Sequence, residues 1–282
     1  MADKKTVPYT FHKVRAECEQ ANADAWRAFL NFYGPLCLRL LETYAAGDGT
    51  ARPGVFEKLL RQLAENDFER LRAMPRQSER EFLNDVRALL LDIAFEGAFQ
   101  GAAAGAAGSA EGGRTIDRDT LGKLLLELPL MHQEMLFFKL SGYTDATIER
   151  MLRVAPHVAA KSMERLAPAH AAAQRLEQDR CPWPAEWLAV LHEARAAKQE
   201  SCKELHEFMR IQDGQVSWYD KEPTEKHIAG CLYCLERWTG LREVTYWRRL
   251  APALSTVEME RFLRALPVAA APTKSLLKRV FG

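Results

Sequence analysis

Over long stretches of the chain, apolar residues recur three or four positions apart. Trp26, Phe29, Leu30, Tyr33, Leu36, Leu40 and Tyr44 form one such series, and Phe82, Val86, Leu89, Leu90 and Ile93 form another. This spacing puts side chains on one face of an α-helix. No convincing run of alternating β-branched residues accompanies it. The pattern therefore predicts an all-α protein, with these two series as the buried faces of helices in a first block covering residues 10–100.

Breaks in the pattern divide the rest. Residues 101–114 open with GAAAGAAGSAEGG, which has no bulky side chain to hold against a core and reads as a flexible linker. A second helical block spans residues 115–178. Pro182 and Pro184 then interrupt it, because each removes a backbone donor and clashes with the preceding turn. A third block covers 185–266. Residues 267–282 form a second linker, from Pro267 to Pro272, and a basic tail from Lys274 to Phe281 that reads either as disordered or as a helix formed on a partner.

The second block has a readable internal plan. Leu128 and Pro129 end one helix, and Leu130 to Leu140 form the next. Ser141 to Tyr143 make a tight turn, and Thr144 can N-cap a helix that runs through Leu152. A fourth helix follows with Pro156 in its first turn. Ile148, Leu152, Val154, Val158 and Met163 are the apolar positions that fix the crossing. Two short helices joined by a three-residue turn make the helix-turn-helix plan; a bundle with the same topology that touches protein instead of DNA is the alternative.

Charge narrows the function. Lysine and arginine exceed aspartate and glutamate by one in 282 residues, so no overall basic field draws the chain onto nucleic acid. Any DNA contact must be local, and Arg150, Arg153, His157, Lys161 and Arg165 are the candidates. No apolar run reaches the roughly 20 residues that span a bilayer. The N-terminus is polar, without the core of a signal peptide, and the expected location is cytoplasmic. Neither His132 nor His157 has a nominable Ser or Cys nucleophile with a supporting carboxylate. A phosphate-cradling glycine loop and a paired-carboxylate site are also missing, so no enzymatic activity and no small-molecule substrate are expected.

Six cysteines are too sparse for a secreted disulfide framework. Cys18 and Cys37 fall on apolar helical pattern and read as small hydrophobes; Cys181 stands beside prolines. The other three lie in a metal-ligand pattern. His227 precedes Cys231 by four residues and Cys234 by seven, which on one helix would bring all three donors to one side within about two turns. Cys202 supplies a fourth, with His206 as a competitor read as a surface or supporting residue. Between them, Gly214 suits a helix C-cap, and Ser217 to Pro223 read as a short turn before the next helix.

Thiolate and imidazole donors suit zinc, and four protein ligands make a structural site with no open position for catalysis. One structural zinc held by Cys202, His227, Cys231 and Cys234 is therefore expected, in a module that works by binding protein. Oxidation of the thiolates offers a redox switch as an alternative to an inert site.

Cys202 through Trp238, with Asp213, Gly214 and the His227, Cys231, Cys234 trio, resembles the zinc-binding anti-sigma-factor domain, a helical fold that clasps a sigma factor. Leu121 to Leu166 resembles the C-terminal DNA-binding domain of extracytoplasmic-function sigma factors. Ala25 to Leu36 and Glu81 to Ala94 are similar to the N-terminal domain of that family. The resemblance implies a first block that grips core RNA polymerase and a last helix in the second block that reads promoter DNA. There are departures. Thr50 to Glu57 lack nearly all of the family's acidic charge, and Ala160 and Ser162 stand where it tends to place Lys and Arg. The expected function is a sigma-factor-like transcription regulator, controlled by a tethered anti-sigma-like domain. The alternative is a degenerate sigma-like scaffold that binds a partner protein and not DNA.

Overall fold

A computed structural model describes residues 10–44, 51–105, 118–166 and 184–267. Among these residues the protein is all-helical, with thirteen helices and no strand. The first block holds α1 (Phe11–Cys18), α2 (Ala23–Tyr44), α3 (Arg52–Ala73) and α4 (Glu79–Gly105). The second holds α5 (Arg118–Leu126), α6 (Leu130–Leu140), α7 (Asp145–Leu152) and α8 (Val158–Leu166). The third holds α9 (Pro184–Ala196), α10 (Leu205–Gln212), α11 (Trp218–Ala229), α12 (Leu232–Leu250) and α13 (Thr256–Arg264).

Helix starts follow local chemistry. Thr144 accepts from the backbone N–H of Thr147 to cap α7, and Ser217 accepts from that of Asp220 to cap α11. Ser255 and Glu258 form a reciprocal capping box at α13. Each cap satisfies backbone donors that the first helical turn leaves without a carbonyl partner. Arg15 does the converse at the end of α3: its buried guanidinium donates to the carbonyl oxygens of Leu71 and Met74, both at 2.6 Å. That ties α1 to a helix end distant in sequence.

Both apolar series of the first block lie inside. Trp26, Phe29, Leu30, Tyr33, Leu36, Leu40 and Tyr44 are buried, as are Phe82, Val86, Leu90 and Ile93, while Leu89 is half-buried against them. Cys18 and Cys37 are buried thiols, and burial pushes Cys37 up to about 12, consistent with packing rather than reactivity. In the second block Ile148 and Leu152 are buried and Val154 and Val158 pack partly against the core; the side chain of Met163 lies outside the described residues.

Three local expectations are corrected. The helix α4 continues through Gly105, into the first five residues of the expected linker, where Ala102 to Ala104 have the best helix propensity of any residue type; residues 106–114 lie outside the described residues. Pro156 precedes α8 rather than sitting in its first turn, because His157 takes a left-handed φ of 68°. Pro223 lies inside α11, which already starts at Trp218 on the Ser217 cap. Cys181, residues 167–178 and residues 268–282, the basic tail included, fall outside the described residues.

The helix α12 is where the blocks meet. It packs against α2 and α4 of the first block, α6 and α7 of the second, and α9, α10 and α11 of its own. The residues Cys234, Leu235, Trp238, Leu241 and Val244 are fully buried along it. Phe262 of α13 adds an edge-to-face contact with Phe56 of α3 at 4.7 Å between ring centroids.

Candidate metal centre

The four donors predicted from spacing converge. One ligand atom from each of Cys202, His227, Cys231 and Cys234 lies within 4.8 Å of every other. The three cysteines are buried and carry free thiols. His206 is exposed and is not part of the cluster.

The backbone that brings them together differs from the single helix expected. The helix α11 ends at Ala229, and Gly230 caps it by donating to the carbonyl of His227 at 3.1 Å. Cys231 is then extended, with φ −137° and ψ 111°, and serves as the N-cap of α12. His227 thus sits in the last turn of one helix and Cys234 in the first turn of the next. The break keeps the donors close while turning the chain, which the spacing alone could not distinguish from a continuous helix. Cys202 comes from the turn before α10, where the backbone N–H of Gln199 donates to its Sγ at 3.3 Å. Such an amide–sulfur bond orients a thiolate and stabilises its charge.

Three observations test whether a metal ion fits. The Nε2 atom of His227 is buried and has no hydrogen-bond partner among the described residues, a state that costs free energy unless something is bound. The Sγ atoms of Cys202 and Cys231 are 3.7 Å apart; two sulfurs, each about 2.3 Å from one tetrahedral zinc, would be separated by about 3.8 Å. That distance is far too long for a disulfide. Burial pushes the Cys234 thiol up, and the neighbouring Cys231 and Cys202 add to the shift. A divalent cation reverses this, since coordinated thiols are deprotonated outright. The site can hold a metal ion, and its donor set is compatible with one zinc.

The centre anchors the start of α12, and polar contacts along that helix reach both other blocks. Arg87 of α4 is buried and donates to Glu236 and Glu243 of α12. Its Nη2 also donates to the hydroxyl of Tyr44 on α2 at 3.0 Å. Burial opposes the charge of Arg87, but Glu243, Tyr44 and Glu236 together outweigh it and hold its pKa well above the ordinary value. On the side of the second block, Trp238 Nε1 donates to Glu134 of α6 at 2.6 Å, Arg242 donates to the same carboxylate, and Tyr143 donates to Glu243. Burial pushes Glu134 up, against the opposing charge of Arg242.

Sequence reasoning missed this network. Its signal was Glu236, Thr239, Gly240 and Glu243 lying at helical spacing on the same face as Leu235, Trp238 and Leu241, where exposed charge would not be expected. Gly240 is essential to it: a Cβ there would overlap Asn84 Oδ1 and lie 3.0 Å from Arg87 Nη1.

The candidate DNA contacts are less coherent. Arg150 is exposed on α7, and its Nε donates to the hydroxyl of Tyr246 on α12 at 3.0 Å. Arg153 is the left-handed C-cap of α7, with φ 57°. The two share a cleft that neither His157 nor Lys161 lines. His157 and Lys161 are exposed, at and just inside the start of α8, while Ser162 is buried. Arg165 lies on α8, and its side chain is outside the described residues.

No helix among the described residues is long and apolar enough to cross a membrane. Comparison of the chain with known protein families, with curated proteins and with solved structures finds no match in any of the three.

Proposed function

We propose that the chain is a sigma-factor-like transcription regulator whose C-terminal segment, pinned by one structural zinc, holds its two sigma-like blocks closed. The observation that carries this reading is the position of α12. One helix, anchored at its start by the Cys202, His227, Cys231, Cys234 centre, engages Arg87 of the first block and Glu134 and Tyr143 of the second. On this reading both blocks are held against one helix of the same chain, and of the candidate DNA contacts Arg150 is bonded to it through Tyr246. A tethered clamp acts at an effective concentration of roughly millimolar, so modest contacts suffice to keep it in place. The zinc has a full set of protein donors and serves as a clasp.

A second reading is favoured by the second block. Ser162 is buried and Arg150 is bound to Tyr246, which leaves Lys161 of α8 with little support for reading bases. On this reading the chain is a degenerate sigma-like scaffold that binds a partner protein and not DNA.

Affinity capture with the full-length chain separates the two. The native chain and a Glu236→Gln, Glu243→Gln variant that loosens α12 are incubated with core RNA polymerase, and each is offered a pool of random duplexes at low salt. The regulator reading expects more polymerase and a selected DNA sequence on the loosened variant. The scaffold reading expects neither. Polymerase retained equally by both would contradict the closure.

A further inference from the structure

A cleft of about 310 Å³ opens between the start of α4, the end of α7, the end of α10 and the C-terminal half of α12. This is at the small end of the roughly 300 to 1,000 Å³ typical of ligand pockets. Five arginines line it: Arg80, Arg150, Arg153, Arg242 and Arg249. The whole chain carries a net charge of only +1, so this concentration of like charge is local.

Carboxylates answer two of the five. Arg80 forms a two-pronged pair with Asp213, at 2.9 and 2.8 Å, and its buried Nε has no partner among the described residues. Arg242 donates to Glu134. The other three have no carboxylate partner among the described residues, and the side chains of Arg153 and Arg249 make no hydrogen bond there either. Arg150 reaches only neutral hydroxyls, that of Tyr246 through Nε and that of Thr147 through Nη2, and the Tyr246 ring also borders the cleft. Gathering like charges around a concave surface is unfavourable unless an anion occupies it. Guanidinium groups are the side chains best matched to phosphate oxygens, which they bind two at a time.

We propose that this cleft binds a compact polyphosphate, two or more linked phosphate groups either free or as the end of a nucleotide. Three guanidinium groups without a carboxylate match the charge of a diphosphate better than that of a single carboxylate. Because Arg150 lies on α7 and Arg153 caps its end, Arg80 lies on α4, and Arg242 and Arg249 lie on α12, the bound anion ties all three blocks together. Binding and closure are therefore coupled. The site holds or fails independently of the transcription reading, since it requires neither polymerase nor promoter.

Isothermal titration of the full-length chain at matched ionic strength tests it, with inorganic pyrophosphate, adenosine diphosphate, orthophosphate and sulfate as probes. Pyrophosphate or the nucleotide should bind at least about tenfold more tightly than orthophosphate or sulfate, as the loss of charge-assisted contacts requires. Equal affinity for pyrophosphate and the nucleotide assigns a free polyphosphate; tighter nucleotide binding that Tyr246→Ala abolishes assigns a nucleotide with its base on that ring. Arg153→Ala and Arg249→Ala should each weaken binding about tenfold or more. Both side chains are exposed and partnerless among the described residues, so unfolding curves should match the native chain. No binding of either phosphate probe, binding equal to that of sulfate, or binding indifferent to both variants would overturn the proposal. So would duplex DNA binding lost in the two variants while pyrophosphate fails to bind, which would make the cleft a nucleic-acid surface.

Discussion

The guanidinium of Arg87, on α4, donates to the carboxylate of Glu243, on α12, and neither side chain is exposed to solvent. Glu236, also buried, accepts from Arg87 and lies 3.5 Å from Arg195 of α9. Two cations, Arg87 and Arg195, therefore face Glu236 and Glu243 at the centre of the joint, and Arg195 also donates to Asp92 at its edge. Burying them costs several kcal/mol per ion, offset only by close pairing. Arg87→Met leaves both carboxylates without their main partner and should destabilise the chain by about 3 to 5 kcal/mol. Adding Glu236→Gln and Glu243→Leu should recover much of that loss, because the uncompensated charges are then gone. Denaturant unfolding of the single and triple variants measures both effects; equal losses would mean that the network is not the source.

Gly240 sets how closely α4 and α12 approach. Its φ is ordinary for a helix, so the requirement is space and not backbone freedom. Gly240→Ala should improve intrinsic helix propensity by about 1 kcal/mol and still destabilise the chain, by about 1 to 3 kcal/mol net, through overlap with Asn84 and displacement of Arg87. A stabilised variant would show that the two helices can separate at no cost.

Tyr44 and Tyr143 should make the joint sensitive to alkali. Burial, with the charge of Glu243 adding to it, raises both phenols above their ordinary value, near 10 in an unfolded chain. Each proton is held more tightly in the folded state, so the stability these groups contribute is complete below about pH 10 and is lost as pH rises toward the folded values. Tyr143→Phe should flatten that decline. It should also lower stability at neutral pH, because Trp247 Nε1 loses the hydroxyl it reaches at 3.0 Å. Unfolding midpoints across the alkaline range test this; a native and a Tyr143→Phe profile of the same slope would contradict it.

The helical class and the His227, Cys231, Cys234 part of the candidate metal cluster were legible because both depend on short-range spacing, whereas Cys202, 29 residues before Cys231, entered only as the cysteine that completes a set of four. Apolar residues three and four apart identify the buried faces of α2 and α4 without knowledge of what covers them. His227, Cys231 and Cys234 are close in sequence, so they remain close in space whether the chain is helical there or broken at Gly230. Long-range pairing was not legible. Arg87 and Glu243 are 156 residues apart, and nothing in the neighbourhood of Arg87 marks it as buried. The arginine cleft was hidden for the same reason, since it draws on four helices. Pro223 misled because its place inside α11 depends on the cap at Ser217 starting that helix five residues earlier.

The proposed clasp depends on a metal ion bound by the Cys202, His227, Cys231, Cys234 cluster at the start of α12. Elemental analysis of the full-length chain, purified without chelators or metal-affinity resin, is the most direct test. It should return one zinc per chain, reduced to background by Cys231→Ser with Cys234→Ser, with loss of cooperative unfolding. A cooperatively folded chain that carries no stoichiometric zinc would contradict it.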